Sequence, residues 1–162
     1  MRHTISILVD NEFGVLSKVS SLFSGRGFNI ESLCVAETLD PKVSRMTIVT
    51  TGDDQVIEQI TKQLNKLINV IKVSDLTAEE HIERELALIK VNANADDRAE
   101  ILSVIDIFRG KVVDVSPTTY TIEMTGDAEK VNAITELLRP FGIKDIARTG
   151  KIAIARSSKT GK

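Results

Sequence analysis

The sequence predicts an α+β fold built from two consecutive βαββαβ units, each a four-stranded antiparallel sheet with two helices on one face. Three observations predict it. Over 162 residues the apolar positions switch twice from a period of two to a period near 3.6 and back. A Gly-Asp helix-start signal occurs at Gly52-Asp53 and recurs at Gly126-Asp127. Between the two passages lies a polar, acidic stretch from Leu76 to Arg84.

Thr4 to Val9 alternates, with Ile5, Ile7 and Val9 on one face, and reads as a strand. A helix from Glu12 to about Ser24 follows, with Val15, Leu16, Val19, Leu22 and Phe23 on its apolar face. Gly25-Arg26-Gly27 ends it, because glycine tolerates the left-handed conformation of a helix C-terminus. Asn29 to Glu37 and Ser44 to Thr51 form a hairpin around the turn Asp40-Pro41-Lys42. Asp53 or Asp54 caps the second helix, whose face is Val56, Ile57, Ile60, Leu64, Leu67 and Ile68. Val70 to Val73 closes the unit.

The acidic stretch, with Glu79, Glu80, Glu83 and Glu85, reads as a linker with partial helical character. The pattern then restarts with a strand from Leu86 to Ala93. Asp96-Asp97 caps a helix with Ile101, Ile105 and Phe108 on one face, and Gly110 stops it. Lys111 to Val115 and Tyr120 to Thr125 flank the turn Ser116-Pro117-Thr118. After Gly126-Asp127 comes a helix presenting Val131, Ile134, Leu137 and Leu138, broken by Pro140-Phe141-Gly142. Ile143 to Ala147 and Lys151 to Arg156 make a last strand interrupted at Gly150. The expected organisation is a first domain at 1–76, a linker at 77–84, a second domain at 85–156 and a flexible tail at 157–162. This element order is the ferredoxin-like arrangement. It leaves one sheet face open unless another layer covers it, a first argument for an oligomer.

Composition narrows the function. A net charge of −2 suits neither general nucleic-acid binding nor anionic lipid. No window approaches the ~20 apolar residues of a membrane helix. The N-terminus enters a strand at once, without a secretory signal, and the single Cys34 excludes an internal disulfide. A soluble cytoplasmic protein is expected. In its strand, Cys34 is a small apolar residue before it is a nucleophile. His3 and His81 lack ligand-spaced cysteines or carboxylates, so no metal site is expected. There is no nucleophile–base pair, phosphate loop or thiamine-binding signature. An RNA-binding module would need aromatic residues on its central strands, where this chain has Ser32, Leu33, Cys34, Met46, Thr47 and Ile48.

The most informative segment is Asp10-Asn11-Glu12-Phe13-Gly14-Val15-Leu16-Ser17, where a strand turns into a helix. Such a turn points unpaired backbone N–H groups outward, toward the positive helix end, and suits a carboxylate. Asn11 adds an amide that can donate and accept. The same Gly14 would also serve as a plain turn glycine, and Asn11 as a helix cap; those roles are compatible with ligand contact.

Asn11-x-x-Gly14-Val15-Leu16-Ser17, the run Phe23-Ser24-Gly25-Arg26-Gly27-Phe28-Asn29-Ile30-Glu31-Ser32-Leu33, Ser44-Arg45-Met46-Thr47-Ile48, Phe108-Arg109-Gly110-Lys111-Val112-Val113-Asp114-Val115 and Ile146-Ala147-Arg148-Thr149-Gly150 resemble the small, regulatory subunits of acetolactate synthase (acetohydroxyacid synthase). The first half resembles an ACT domain, an amino-acid-sensing module, and the second an ACT-like domain. The resemblance implies a non-catalytic chain without a cofactor of its own, forming a homodimer through its ACT domains. A large catalytic subunit would carry thiamine diphosphate, magnesium and FAD and make acetolactate or acetohydroxybutyrate in branched-chain amino acid biosynthesis. The small subunit would activate it and make it sensitive to valine or another branched-chain amino acid. Asn11, Gly14 and Asn29 match the family's effector-binding positions, and Phe13, Val15, Leu16 and Ile30 would complete the pocket. Phe13 departs from the small residue or proline usual there, which leaves open whether it narrows the pocket or packs elsewhere. An ACT-type sensor serving another enzyme is the alternative from the first half alone.

Overall fold

The structure, a computed structural model, describes residues 1–158. Its elements run β1 (Arg2–Asp10), α1 (Val15–Gly25), β2 (Ile30–Glu37), β3 (Val43–Thr51), α2 (Asp54–Asn65), β4 (Val70–Asp75), β5 (His81–Asn92), α3 (Arg98–Ile107), β6 (Lys111–Val115), β7 (Thr119–Gly126), α4 (Ala128–Leu138), β8 (Ile143–Arg148) and β9 (Ile152–Ala155), with a short 3-10 turn at Arg139–Phe141. The sheets have strand orders β2-β3-β1-β4 and β6-β7-β5-β8, with antiparallel neighbours, and β9 adds a fifth strand to the second by pairing with β5. This is the expected α+β class, two ferredoxin-like βαββαβ domains. The chain divides into two compact units, Met1–Ile82 with the segment from Ile152 onward, and Glu83–Lys151.

In the first unit, Ile5, Ile7 and Val9 of β1 face the helices. Register places Ile5 opposite Ile48 and Ile7 opposite Met46 of β3, so the four side chains share one face. Val15, Val19 and Phe23 of α1 and Ile57, Ile60 and Leu64 of α2 cover it. Each such side chain withdrawn from water contributes about 1.5–3 kcal/mol. Asp53 caps α2 as expected, its carboxylate accepting from the Val56 N–H at 2.9 Å.

The opposite face carries small hydroxyls, and its centre is not open. Thr4, Ser6, Thr47 and Val49 are buried there. β9 pairs with β5 and also lies close to β1. The Arg156 N–H donates to the Glu80 carbonyl at 2.9 Å and holds this returning segment. The Arg45 guanidinium donates to the Ser6 hydroxyl at 2.7 Å on the same face.

The second unit repeats the plan with Ala87, Ile89, Val91, Ile122 and Met124 on the sheet and Ile101, Ile105, Val131, Ile134 and Leu138 on the helices. Asp127 caps α4 by accepting from the Lys130 N–H at 2.9 Å.

Several local expectations change. α1 begins at Val15 rather than Glu12, because the chain turns at Gly14. α2 ends at Asn65, where the Lys66 N–H bonds back to the Gln63 carbonyl and tightens the last turn; Ile68 therefore leaves the helical face and is exposed. Leu137 also points outward, since Ile134 and Leu138 already fill the core side. Asp97 makes no side-chain cap to α3; it sits in a right-handed helical conformation, with its N–H on the Asn94 carbonyl. The stretch 81–84 is strand, not helix, and forms the start of β5, whose alternating burial begins there. Its inward positions carry charge, with Glu83 on Lys151 at 3.0 Å and Glu85 gripped by Arg148, so hydrophobic alternation was absent from the sequence. The tail expected at 157–162 lies, from 159 on, outside the described residues.

Candidate functional site

Between β1 and α1 the chain passes through Gly14 at φ 84° and ψ −6°, the left-handed region where a side chain would be strained. A Cβ at Gly14 would meet no atom within 4 Å, so the space beside this main chain is open. The glycine also takes the N-cap position without supplying a capping side chain. The first regular helical donor is the Lys18 N–H on the Gly14 carbonyl at 3.1 Å. The amides of Leu16 and Ser17 precede it and point out of the helix end.

Among the four described α-helices, α1 alone has no acidic residue in its first turn; α2 has Asp54, α3 has Glu100 and α4 has Glu129. In α2 and α4 an aspartate also caps the helix. The first turn of α1 is thus without the acidic residue that each of the other three has, and the nearby Glu12 carboxylate is turned to Asn69.

Asn11 is committed on one side. Its Nδ2 donates to the Pro41 carbonyl at 2.9 Å and to Glu37 Oε1 at 3.2 Å. These bonds tie the β1–α1 turn to the β2–β3 hairpin and leave Oδ1 as the available end, an acceptor matched to an ammonium group. Asn69 makes a second tie. Its Nδ2 contacts Asp10 Oδ2 at 3.3 Å and Glu12 Oε2 at 3.2 Å, and its Oδ1 accepts from Lys18 Nζ at 3.2 Å. Glu37 and Asn69 were missed in the sequence, since only the folded turn brings them to Asn11 and Glu12.

The other expected residues divide. Phe13 is wholly exposed, so it neither narrows a pocket in the single chain nor packs elsewhere. Val15 is a core residue, so only its main chain is available to a ligand. Leu16 is half-exposed beside the helix end. Asn29 is exposed, its carbonyl accepting from the Thr50 hydroxyl at 2.8 Å, and Ile30 lies partly buried against the core.

One chain does not bring all of these together. Asp10 lies opposite Val43 and Ile30 opposite Thr50, at the two ends of β3. At ~3.3 Å per residue those ends are about 23 Å apart, longer than any single amino acid. Asn11, Gly14 and Leu16 occupy one end of the sheet, and Asn29 and Ile30 the other. β2 is an edge strand with an unpaired outer side. Antiparallel pairing of two β2 edges would set the Asn11 end of one copy beside the Asn29 end of the next.

Two family models match this chain: "AHAS small subunit-like ACT domain" over residues 5–72 and "Small subunit of acetolactate synthase" over residues 84–157. The chain is 58% identical over 156 residues to an acetolactate synthase small subunit of Aquifex aeolicus, covering 96% of this chain and 81% of that protein. It is 52% identical over 157 residues to one of Mycolicibacterium smegmatis, covering 97% and 92%. The solved structure of an acetolactate synthase small subunit from Thermotoga maritima superposes with a TM-score of 0.89 at 46% identity, covering 98% of this chain and 99% of that one.

Proposed function

The chain belongs to the acetolactate synthase small-subunit family, and from that premise we propose that it is a regulatory subunit that activates the catalytic subunit and transmits feedback inhibition by valine. It works in partnership with that subunit, and the thiamine diphosphate, magnesium and FAD chemistry resides there. This chain supplies binding sites and contacts.

The single observation that supports this reading most is the start of α1, a helix end with open main chain and no acidic residue in its first turn. A valine carboxylate placed there takes the amides of Leu16 and Ser17 and the field of the helix. Asn11 Oδ1 accepts from its ammonium group, with Glu37 close behind. Asn29 and Ile30 come from a second copy paired through β2, and Leu16 offers apolar surface to the isopropyl group. Relative to alanine, valine adds two carbons, worth about 1.6 kcal/mol at ~0.8 per methylene-sized group. That is about tenfold in affinity. Leucine and isoleucine are rejected only by steric limits, so the pocket wall sets the effector.

A site made by two copies responds to how they pack. Valine inhibits if it binds the inhibited packing more tightly than the active one, and a coupling of ~1–3 kcal/mol is typical. The test is reconstitution of the holoenzyme with its cognate catalytic subunit, followed by turnover measurements with each branched-chain amino acid. Activation by the chain and inhibition by valine are expected. Turnover indifferent to the chain, or a calorimetric titration of the dimer that yields no heat with any branched-chain amino acid, would end the proposal.

A further inference from the structure

The helix after the first strand of each unit ends in the same hydrogen-bonded cap, filled by different residues. At the end of α1 the Gly27 N–H donates to the Ser24 carbonyl at 3.1 Å and the Phe28 N–H to the Phe23 carbonyl at 2.9 Å. At the end of α3 the Arg109 N–H donates to the Asp106 carbonyl at 3.1 Å and the Gly110 N–H to the Ile105 carbonyl at 2.9 Å. Both are Schellman caps, whose turning residue takes the left-handed conformation that suits glycine. Gly27 does so at φ 73° in the first unit; in the second the turning residue is Arg109, at φ 57°.

Among the described residues Arg109 is the one non-glycine residue at positive φ, so its backbone is held there at a conformational cost. Packing demands a small residue next door, not an arginine here: a Cβ at Gly110 would come within 3.3 Å of the Glu123 carbonyl oxygen and of Ile105. A cation beyond a helix C-terminus also suits the helix field. A basic residue in the last turn of α3 would serve that end in relaxed backbone, and the turn has none. The Arg109 side chain is exposed, and no carboxylate of the described residues pairs with it. Ile107 is 76% exposed, and Val113 and Val115 of the edge strand β6 are 53% and 64% exposed. An arginine with exposed aliphatic neighbours has the make-up of an interface anchor.

We propose that Arg109 is an anchor that binds a carboxylate of the catalytic subunit, an assignment that rests on the regulatory-subunit reading above. The guanidinium sets the chemistry of the occupant, because its planar fork of donors matches the two oxygens of an aspartate or glutamate side chain. Ile107 and the β6 valines lower the local dielectric once covered, which strengthens that pair. Charge decides against a second copy. A twofold contact centred here would set Arg109 and Lys111 against their own counterparts, with like charges at the core of the interface. A separate chain with an acidic segment meets no such repulsion, and the catalytic subunit is the separate chain that membership of a small-subunit family implies.

The test uses the full chain and its cognate catalytic subunit. Arg109→Gly relaxes the backbone and removes the cation. Its melting temperature should equal or exceed that of wild type, while the concentration needed for half-maximal activation rises by about tenfold or more. Arg109→Asn also tolerates the left-handed conformation and should raise that concentration as much. Arg109→Lys keeps the charge but not the fork and should raise it less. Added salt should raise the half-saturation of wild type more steeply than that of Arg109→Gly. An unchanged half-saturation in both Arg109→Gly and Arg109→Asn overturns the assignment. So does a melting temperature lowered in both, which gives the arginine to the fold. Loss of mass in sedimentation with activation kept at the wild-type concentration also overturns it and gives the residue to a second copy. Failure of the wild-type chain to bind the catalytic subunit at all would remove the regulatory-subunit reading and this anchor with it, whereas normal activation by wild type and variants alike removes the anchor alone.

Discussion

The two units share one topology and close the same crevice in opposite ways. In the first, Asn11 reaches from the strand–helix turn to the carbonyl of Pro41 in the hairpin. In the second, Arg98 reaches from the corresponding turn to the carbonyl of Pro117 at 2.6 Å and to that of Ala93 at 3.2 Å. The Arg98 guanidinium also lies 5.8 Å from the centre of the Tyr120 ring. Asn11 ties its loops and keeps an acceptor free. Arginine carries five donors and no acceptor, so Arg98 fills the space and offers nothing to an ammonium group. Beyond it, α3 has Glu100 in its first turn where α1 has no acid. A common fold thus gives one half a receptive helix end and the other a sealed one, through a few residues at a single turn.

The comparison breaks most severely if the first helix end is given its own anion. Gly14→Asp should abolish the valine response of the reconstituted enzyme, shifting half-inhibition by well over tenfold. Gly14→Asn separates charge from shape, because asparagine tolerates the left-handed conformation and carries no charge. It should keep much more of the response. Inhibition curves for both variants decide the matter, and equal loss in the two would move the cause from charge to conformation.

A smaller effect is expected in the second unit. Arg98→Met removes two hydrogen bonds and the ring contact while preserving much of the apolar stem. It should cost about 1–2 kcal/mol in urea unfolding, reduced by the partial exposure of the site. It should leave valine inhibition intact. A change in inhibition would show that the sealed crevice takes part in sensing.

The helix caps sharpen the contrast further. Asp127→Ala should cost about 1 kcal/mol, since it strips the Lys130 N–H of its acceptor. Asp53→Ala should cost a similar amount in the first unit. The smallest effect is a pH dependence confined to the first unit. Burial pushes the Asp75 carboxyl up, but hydrogen bonds from the Thr77 hydroxyl and N–H and the proximity of His3 outweigh it and hold it below the usual carboxylate value. A carboxylate with a depressed folded value stabilises above its unfolded value near ~3.9 and loses that contribution as pH falls through the folded one. The stability gap between wild type and Asp75→Asn should therefore be widest above about pH 4 and close below it. Chemical denaturation at several acidic pH values measures that gap, and a gap independent of pH would refute the linkage.

What could be read from the chain follows from how local each signal is. Ile5, Ile7 and Val9 announced β1 because alternation is written in adjacent residues. Asp53 and Asp127 announced their helices because each cap is completed three residues on. Gly14 marked its turn by residue type alone. Ile68 misled, because periodicity reports apolar character but not where the backbone stops turning. Glu83 and Glu85 misled in the other sense: ion pairing brings charge onto inward strand positions, as for Glu83 with Lys151 and Glu85 with Arg148. The separation of Asn11 from Asn29 was illegible, since it depends on strand order and register. The same holds for Glu37 and Asn69, which reach the turn only through tertiary contacts.

The return of β9 to the first unit has a further consequence. The face of β1 and β3 away from the helices is lined by the hydroxyls of Thr4, Ser6 and Thr47, groups that water can solvate readily if a neighbouring strand departs. Departure of this strand therefore exposes less apolar surface than loss of a helix would, and its amides should exchange with deuterium well before those of β1. A fragment cut after Ile82 would lack this strand from the outset.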